Sequence, residues 1–285
     1  MQKFTLEKAV GRDDLPTACD FLAQHTGLSK TRIKDAMNKG AVWHQKGKGK
    51  PYRLRRATAA IEIGDNLSIH YDAKLLALSP HRPDCISDQH RYSIWYKPAG
   101  MITQGNKFGD HCALLRQVEL HFKPRREVYP VHRLDRETSG ILLIAHDKKS
   151  AGLLSGLFVS QQINKHYRAR VLGNLADRRP KGRIEQPLDG KPAVTEYVVR
   201  SYDPVGNFSS VEVTIHTGRK HQIRRHFESI GFPVIGDPLY GSGNKNKSGL
   251  KLAATSLQFC CPIQGKNMVF ESPQADFDAD IRNRN

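Results

Sequence analysis

The sequence predicts an α+β protein of two domains. Residues 1–72 form a small α+β unit, residues 73–90 a linker, and residues 91–285 a larger domain on a mixed, largely antiparallel sheet. Three observations predict this. Two short helical patterns with start and stop signals precede residue 41. The stretch AKLLALSPHRPDCISDQH (73–90) loses all periodicity and carries two prolines. Beyond it, short apolar runs alternate every second residue, the period of strands with one buried face.

Pro16 opens the first helical pattern, with Ala18, Phe21 and Leu22 inward, and Gly27 ends it. Ser29 caps the second, KTRIKDAMNK, which Gly40 stops. Ile33, Ala36 and Met37 make its apolar stripe, while Lys30, Arg32, Lys34 and Lys39 fall outside it, where they can meet solvent or a ligand. A strand AVWH follows, then the loop QKGKGKPYRLRR with Arg53, Arg55 and Arg56, then a strand around NLSIHYD. In the larger domain SIWYK, ILLIA, HYRARVLG, AVTEYVVRSY, SSVEVTIH, LKLAATSLQF and MVFE read as strands, with helical runs among them. The end, SPQADFDADIRNRN, is polar and expected to fray.

Lys and Arg number 45 against 28 Asp and Glu, a formal net charge of +17 over 285 residues. Such an excess points to a polyanionic partner, nucleic acid before anionic membrane. From Leu28 to Arg56 there are ten Lys or Arg and one acid, Asp35, whereas an ordinary solvated face mixes signs. No apolar run approaches the roughly 20 residues of a spanning helix, and MQKFTLEKAV lacks the apolar stretch of a signal peptide, so no membrane is expected and the chain reads as cytoplasmic. The five cysteines are odd in number and never spaced CxxC, which argues against a disulfide framework or structural zinc. Among thirteen histidines there is no HExxH, and His216, His221 and His226 stand five apart, a spacing that does not align side chains on a helix. No metal is expected.

The stretch VHRLDRETSG (131–140) sets one carboxylate central to two guanidinium groups, Asp135 between Arg133 and Arg136, at the mouth of an apolar strand. It resembles the signature of the RluA-type RNA pseudouridine synthases. KPAG (97–100), NKHYRARVLG (164–173), KPAVTEYVV (191–199), TGRKHQIRRH (217–226) and GDPLYG (236–241) extend the resemblance in the expected order. The family isomerises uridine in RNA to pseudouridine without cofactor or metal. The resemblance implies that Asp135 is the nucleophile, attacking either the anomeric carbon or the uracil ring; a bond to one fragment lets the other turn over. It implies Arg224 as the guanidinium that keeps this carboxylate ionised. It implies that Tyr167 stacks on the flipped base, and that Arg133 fills the vacancy left in the RNA. Plainer readings stand beside these: Asp135 capping a turn and pairing with Arg133 or Arg136, Arg224 pairing with Glu228 on a helix surface, Tyr167 packing on the sheet. Lys97, Pro98 and Gly100 read as loop-shaping. The sequence has MITQG after KPAG where the family often has Val-His, and LAA at 252–254 where Leu-His-Ala is common.

DFLAQHTGLSKTRIKDAMNKGAVW and IEIGDNLSIHY resemble the αL RNA-binding motif of the ribosomal-protein-S-four type, with Thr17-Ala18 in place of its leading Arg-Leu and WHQKGKGK in place of its Val-Asn-Gly turn. The RNA contacts expected there are Lys30, Arg32, Lys34, Lys39, Arg53, Arg55 and Arg56. The sequence therefore reads as a monomeric, cofactor-free isomerase acting on structured RNA, with ribosomal RNA favoured over tRNA. A noncatalytic RNA-binding or ribosome-assembly protein on the same fold is the alternative; binding alone does not require Asp135, Tyr167 and Arg224 together. A metal-dependent deaminase or nuclease lacks ligands.

Overall fold

The computed structural model describes residues 2–246 and 248–273, so the expectation for the polar end falls largely outside the described residues. The chain divides into two compact units, Met1–Arg82 with Gln104–His121, and Pro83–Thr103 with Phe122–Asn285.

The first unit is a four-stranded antiparallel sheet in the order β1-β4-β2-β3, made of β1 (Lys3–Ala9), β2 (Val42–Gln45), β3 (Tyr52–Arg53) and β4 (Asn66–Asp72). Its helices are α1 (Ala18–Thr26), α2 (Lys30–Asn38), α3 (Ala73–Leu76) and α4 (Leu114–His121). The first helix begins at Ala18, two residues later than a start at Pro16 would set it, because the Thr17 hydroxyl caps it, accepting from the Asp20 N–H at 3.3 Å. Gly27 closes it in the left-handed region, at φ 69°, with its N–H on the Ala23 carbonyl. Ile33, Ala36 and Met37 are fully buried, the stripe that the sequence marks. Strand β1 was not legible: an edge strand with only Phe4 and Leu6 as large apolar residues, it is set by pairing with β4.

Residues 104–121, which the sequence places in the larger domain, cluster with this unit instead. Polar contacts tie them there. Asp110 accepts from Arg55 Nη2 at 2.5 Å and lies 3.2 Å from Arg53 Nε. Arg53 also donates to the Asn106 carbonyl at 2.7 Å and lies over the Trp43 ring, while Trp43 donates to the Lys107 carbonyl at 3.1 Å. Contacts of this kind leave no periodic trace in a sequence. The stretch expected as a linker carries α3, capped by Asp72, and a first strand of the second unit.

That second unit contains β5 (Asp84–Asp88), β6 (Tyr92–Lys97), β7 (Tyr129–Pro130), β8 (Ser139–Ala145), α5 (Lys148–Val159), β9 (Ile163–Leu172), α6 (Leu175–Arg178), β10 (Lys181–Ile184), β11 (Thr195–Asp203), β12 (Phe208–Ile215), α7 (Gln222–Ser229), β13 (Leu252–Cys260) and β14 (Asn267–Glu271). Its sheet runs β10-β11-β12-β9-β13-β8-β6-β5, with β14 on β13 and β7 on β8. Every described pairing is antiparallel except β13 with β8, which gives the mixed, largely antiparallel sheet that the alternation predicts. All seven predicted strands are present; β5, β7 and β10 were missed, being short or polar. Strand β8 is buried along its whole length, so it reads as a continuous apolar run rather than an alternating one. Tyr92, Ile94, Ile141 and Leu143 pack with Leu154 and Leu157 of α5 in one core.

Candidate active site

The loop 131–138 leads into β8 and carries Asp135. Its backbone is fastened on both sides of that residue. Thr103 Oγ1 donates to the Leu134 carbonyl at 3.0 Å and accepts from the Leu134 N–H at 3.2 Å. The Arg136 carbonyl accepts from the Gly100 N–H at 2.8 Å and from Lys97 Nζ at 3.2 Å. Lys97 is fully buried and also donates to the carbonyls of Met101 (2.8 Å) and Pro98 (3.1 Å). Burial brings its ammonium down to about 7, against the opposing pull of Glu137 and Asp135. The loop-shaping role expected of the KPAG stretch thus has a concrete form: Lys97 clamps it to the Asp135 loop. Gly140 follows, at φ 116°; a Cβ there would run into the backbone of Ala254, so glycine permits the close parallel pairing of β8 with β13 behind the loop.

Arg224 reaches the site from α7, whose Gln222, Ile223, Arg224, His226 and Phe227 are buried. The guanidinium is 0% exposed and held by a fork: Nε and Nη2 each donate to Asp237 at 2.7 Å. Burial opposes its charge, but Asp237 and then Asp135 hold it charged. Burial would likewise raise the Asp237 carboxyl; the Arg224 bonds and the N–H groups of Leu239 and Tyr240 hold it below the usual carboxylate range. The third nitrogen, Nη1, is buried, makes no hydrogen bond among the described residues, and lies 3.8 Å from Asp135 Oδ2.

His221 precedes α7 in the left-handed region, at φ 54°. Its Nε2 lies 3.9 Å from Asp135 Oδ1, and its Nδ1 is 3.0 Å from the Tyr240 hydroxyl. Tyr240 also lies under the Arg224 guanidinium. Tyr167 stands on β9, paired with Val213 of β12 and Ala254 of β13. Burial, with the charge of Asp135 adding to it, raises its hydroxyl well above the usual phenol range, so it is protonated at neutral pH.

Asp135, Tyr167, His221 and Arg224 line a pocket of about 410 Å³ that also takes in Arg133, Thr138, Ile215, Arg219 and Leu252. A volume of that size holds a small molecule or a single nucleoside. A wider groove of about 980 Å³ lies among the strand side chains that alternate with the core. Its Arg183 and Glu196, and its Arg200 and Glu212, pair with each other at 2.6 and 2.5 Å.

The structure thus brings together Asp135, Tyr167, Arg224 and Arg133. It overturns two of the plainer readings. Arg224 turns inward to Asp237 and Asp135, while Glu228 is exposed. Asp135 lies beside Arg224, not Arg133 or Arg136; Arg136 donates to the Gly100 carbonyl instead, and Arg133 is exposed at the pocket. Asp237, Tyr240 and His221 went unassigned, although GDPLYG and TGRKHQIRRH contain them. Their partners are remote in sequence, and spacing could not reveal the contacts.

The expected RNA contacts of the first unit divide. Arg32, Lys34 and Arg56 are exposed, as is Lys30, which pairs with Asp20 at 2.7 Å. Arg53 and Arg55 are engaged with Asp110 and backbone carbonyls, and Lys39 with Asp35 and the Leu76 carbonyl. No group of His, Cys, Asp or Glu able to hold a metal occurs among the described residues.

A carboxylate beside a buried guanidinium and an aromatic ring, in a nucleoside-sized pocket, is an arrangement that nucleophilic chemistry on a flat ring can use. Residues 91–229 match the RNA pseudouridylate synthase family. The chain is 36% identical to tRNA pseudouridine synthase C of Pasteurella multocida over 59% of its own length and 81% of that protein's. It is 30% identical to ribosomal large subunit pseudouridine synthase D of Zymomonas mobilis, over 90% of its own length and 87% of that relative's. The fold resembles human RNA pseudouridylate synthase domain containing 1, with a TM-score of 0.56 at 20% identity, covering 72% of this chain and 97% of that one. The chain belongs to the RNA pseudouridylate synthase family.

Proposed function

We propose that the protein converts uridine in ribosomal RNA to pseudouridine with Asp135 as the nucleophile. The observation that carries this is the Asp135 carboxylate, 3.8 Å from the one Arg224 nitrogen left without a hydrogen bond, at the pocket that Tyr167 lines. The carboxylate bonds to the ribose C1′ or to the uracil ring as the N1–C1′ bond breaks; the base turns, C5 bonds to C1′ as the carboxylate is released, and the C5 proton leaves while N1 takes one up. Arg224 sets a positive charge 3.8 Å from the carboxylate, where it can steady the charge that moves as the bonds change. Tyr167 offers a ring face to the uracil and a protonated hydroxyl. Arg133, exposed at the pocket, takes the place of the flipped base in the RNA stack. No step calls for a cofactor. Ribosomal RNA is favoured by the first unit, which we read as an αL RNA-binding domain, and by the relative named for the large ribosomal subunit, which matches along 90% of this chain; tRNA is the competing substrate, after the relative named for it.

Carbodiimide mapping of total RNA from cells with and without the gene tests this reading. One or more uridine positions in large-subunit ribosomal RNA should lose their carbodiimide-dependent stop when the gene is removed. Loss confined to tRNA would move the substrate, and unchanged maps would overturn the proposal.

The αL reading has a separate test. Exposed Arg32 and Lys34 suit phosphates, whereas Arg55 is bound internally. Arg32→Ala with Lys34→Ala should flatten the salt dependence of RNA binding by about 0.7 log units per log salt for each phosphate no longer neutralised. Arg55→Ala should leave that slope unchanged and lower stability by about 1.5–3 kcal/mol, the worth of hydrogen bonds to a charged group. The reverse pattern would place the RNA on the Arg55 side.

A further inference from the structure

Lys165 and His132 form a cluster that the site above does not use. Lys165 is 7% exposed. It precedes Tyr167 by two positions on β9, so both side chains leave the same face of the strand, about 6.8 Å apart along the backbone. Its ammonium is 6.0 Å from the centre of the Phe158 ring, and among the described residues it has no hydrogen-bond or ion-pair partner. Burial lowers its pKa, and no carboxylate opposes that fall.

Phe158 stacks in turn on His132, with ring centres 4.4 Å apart. His132 Nε2 accepts the Leu143 N–H at 3.0 Å, which fixes the tautomer: the ring is neutral and carries its proton on Nδ1. Burial, then the charge of Lys165, brings the imidazole down to about 3, so it stays neutral at physiological pH. The next residue, Arg133, lines the Asp135 pocket. Lys165 and His132 thus stand two residues and one residue along the chain from the pocket-lining Tyr167 and Arg133, and no carboxylate answers the lysine's charge. A largely buried lysine with no anion of the protein beside it points to a counter-charge that a ligand brings.

We propose that Lys165, with the Nδ1–H of His132, binds a phosphodiester of the RNA, the one adjoining the nucleotide whose base enters the Asp135 pocket. This rests on reading that pocket as the uridine site. A phosphate is the anion that every RNA nucleotide carries beside its sugar, and a lysine takes it as a point charge. Phosphate contacts fix register without reading sequence. Held here, the backbone stays anchored while the base leaves the stack and turns.

The test uses full-length protein and total RNA from cells lacking the gene, scored for pseudouridine under single turnover. Lys165→Met should raise the enzyme concentration needed for half-maximal rate about tenfold or more. It should flatten the salt slope by about 0.7 log units per log salt. Its melting temperature should equal or exceed the wild type's, because an unpaired buried charge has been removed. Lys165→Arg should recover most of the affinity. A Lys165→Met protein with wild-type half-saturation and salt slope would overturn the site. So would a lower melting temperature with affinity unchanged, which would make the lysine a packing residue. Failure of the uridine reading looks different: the wild type itself would bind this RNA and form no pseudouridine.

Discussion

Asp135→Asn is expected to fold, to bind RNA, and to make no detectable pseudouridine. The fold does not depend on the Asp135 side chain. Its loop is held through the backbone of Leu134 and Arg136, by Thr103, Gly100 and Lys97, and these bonds survive the substitution. The Asp135 carboxylate stands 3.8 Å from Arg224, beyond hydrogen-bond length, while Asp237 answers that guanidinium at 2.7 Å. No buried charge is left without its main partner, so the melting temperature should stay within a few degrees of the wild type. Affinity should also survive, since phosphate contacts and base stacking supply most of it. Removing a negative charge from a pocket that takes in Arg133 and Arg219 can even tighten binding of the polyanion slightly. Chemistry cannot survive, because a neutral amide does not form the covalent bond to the substrate; losing a nucleophile lowers rates by roughly 10⁴–10⁶-fold. The three measurements are melting temperature, RNA affinity and product per enzyme in a single turnover. Substantial isomerisation by the variant would eliminate Asp135 as the nucleophile.

Much of this site was legible because its parts sit in short motifs. VHRLDRETSG, NKHYRARVLG and TGRKHQIRRH carry Asp135, Tyr167 and Arg224, and folding brings all three to one pocket. The sheet was legible for a different reason: with one face buried, β9 and β12 alternate strictly enough to be read by eye. What remained hidden depends on partners far apart in the chain. Arg224 pairs with Asp237 thirteen residues on, past the end of its helix, where a rule for helical neighbours looks no further than Glu228. Arg53 and Arg55 belong to a run of basic residues that reads as an RNA-binding surface, yet Asp110 recruits them from more than fifty positions away. Charge runs show an excess of cations; they do not show which of them the fold has already used.

Arg224→Lys is the second substitution with a large expected effect, and here stability and rate should fall together. The guanidinium performs two tasks with one planar group. Nε and Nη2 are committed to Asp237, and Nη1 alone faces Asp135. An ammonium has no fork; placed against Asp237 it abandons Asp135, and placed against Asp135 it leaves a carboxylate that is 1% exposed without its bidentate partner. Breaking a buried pair costs about 3–5 kcal/mol, and retaining the charge should keep the loss for lysine near the lower end. Removing a preorganised donor from a reacting centre lowers rates by roughly 10²–10³-fold, and RNA affinity should change little. Asp237→Asn separates the two tasks: it keeps the shape, leaves Arg224 facing Asp135, and removes the charge that holds Arg224 in place. Its stability deficit should have a definite pH dependence. Because folding lowers the Asp237 pKa, the carboxylate's contribution is complete above the unfolded group's ordinary value of 3.8 and is lost as the pH falls through the lower folded value. The gap between wild type and Asp237→Asn should therefore be widest near neutrality and close on acidification. If Arg224→Lys turns over at close to the wild-type rate while melting lower, Arg224 is a brace for the GDPLYG turn and Asp135 works without it.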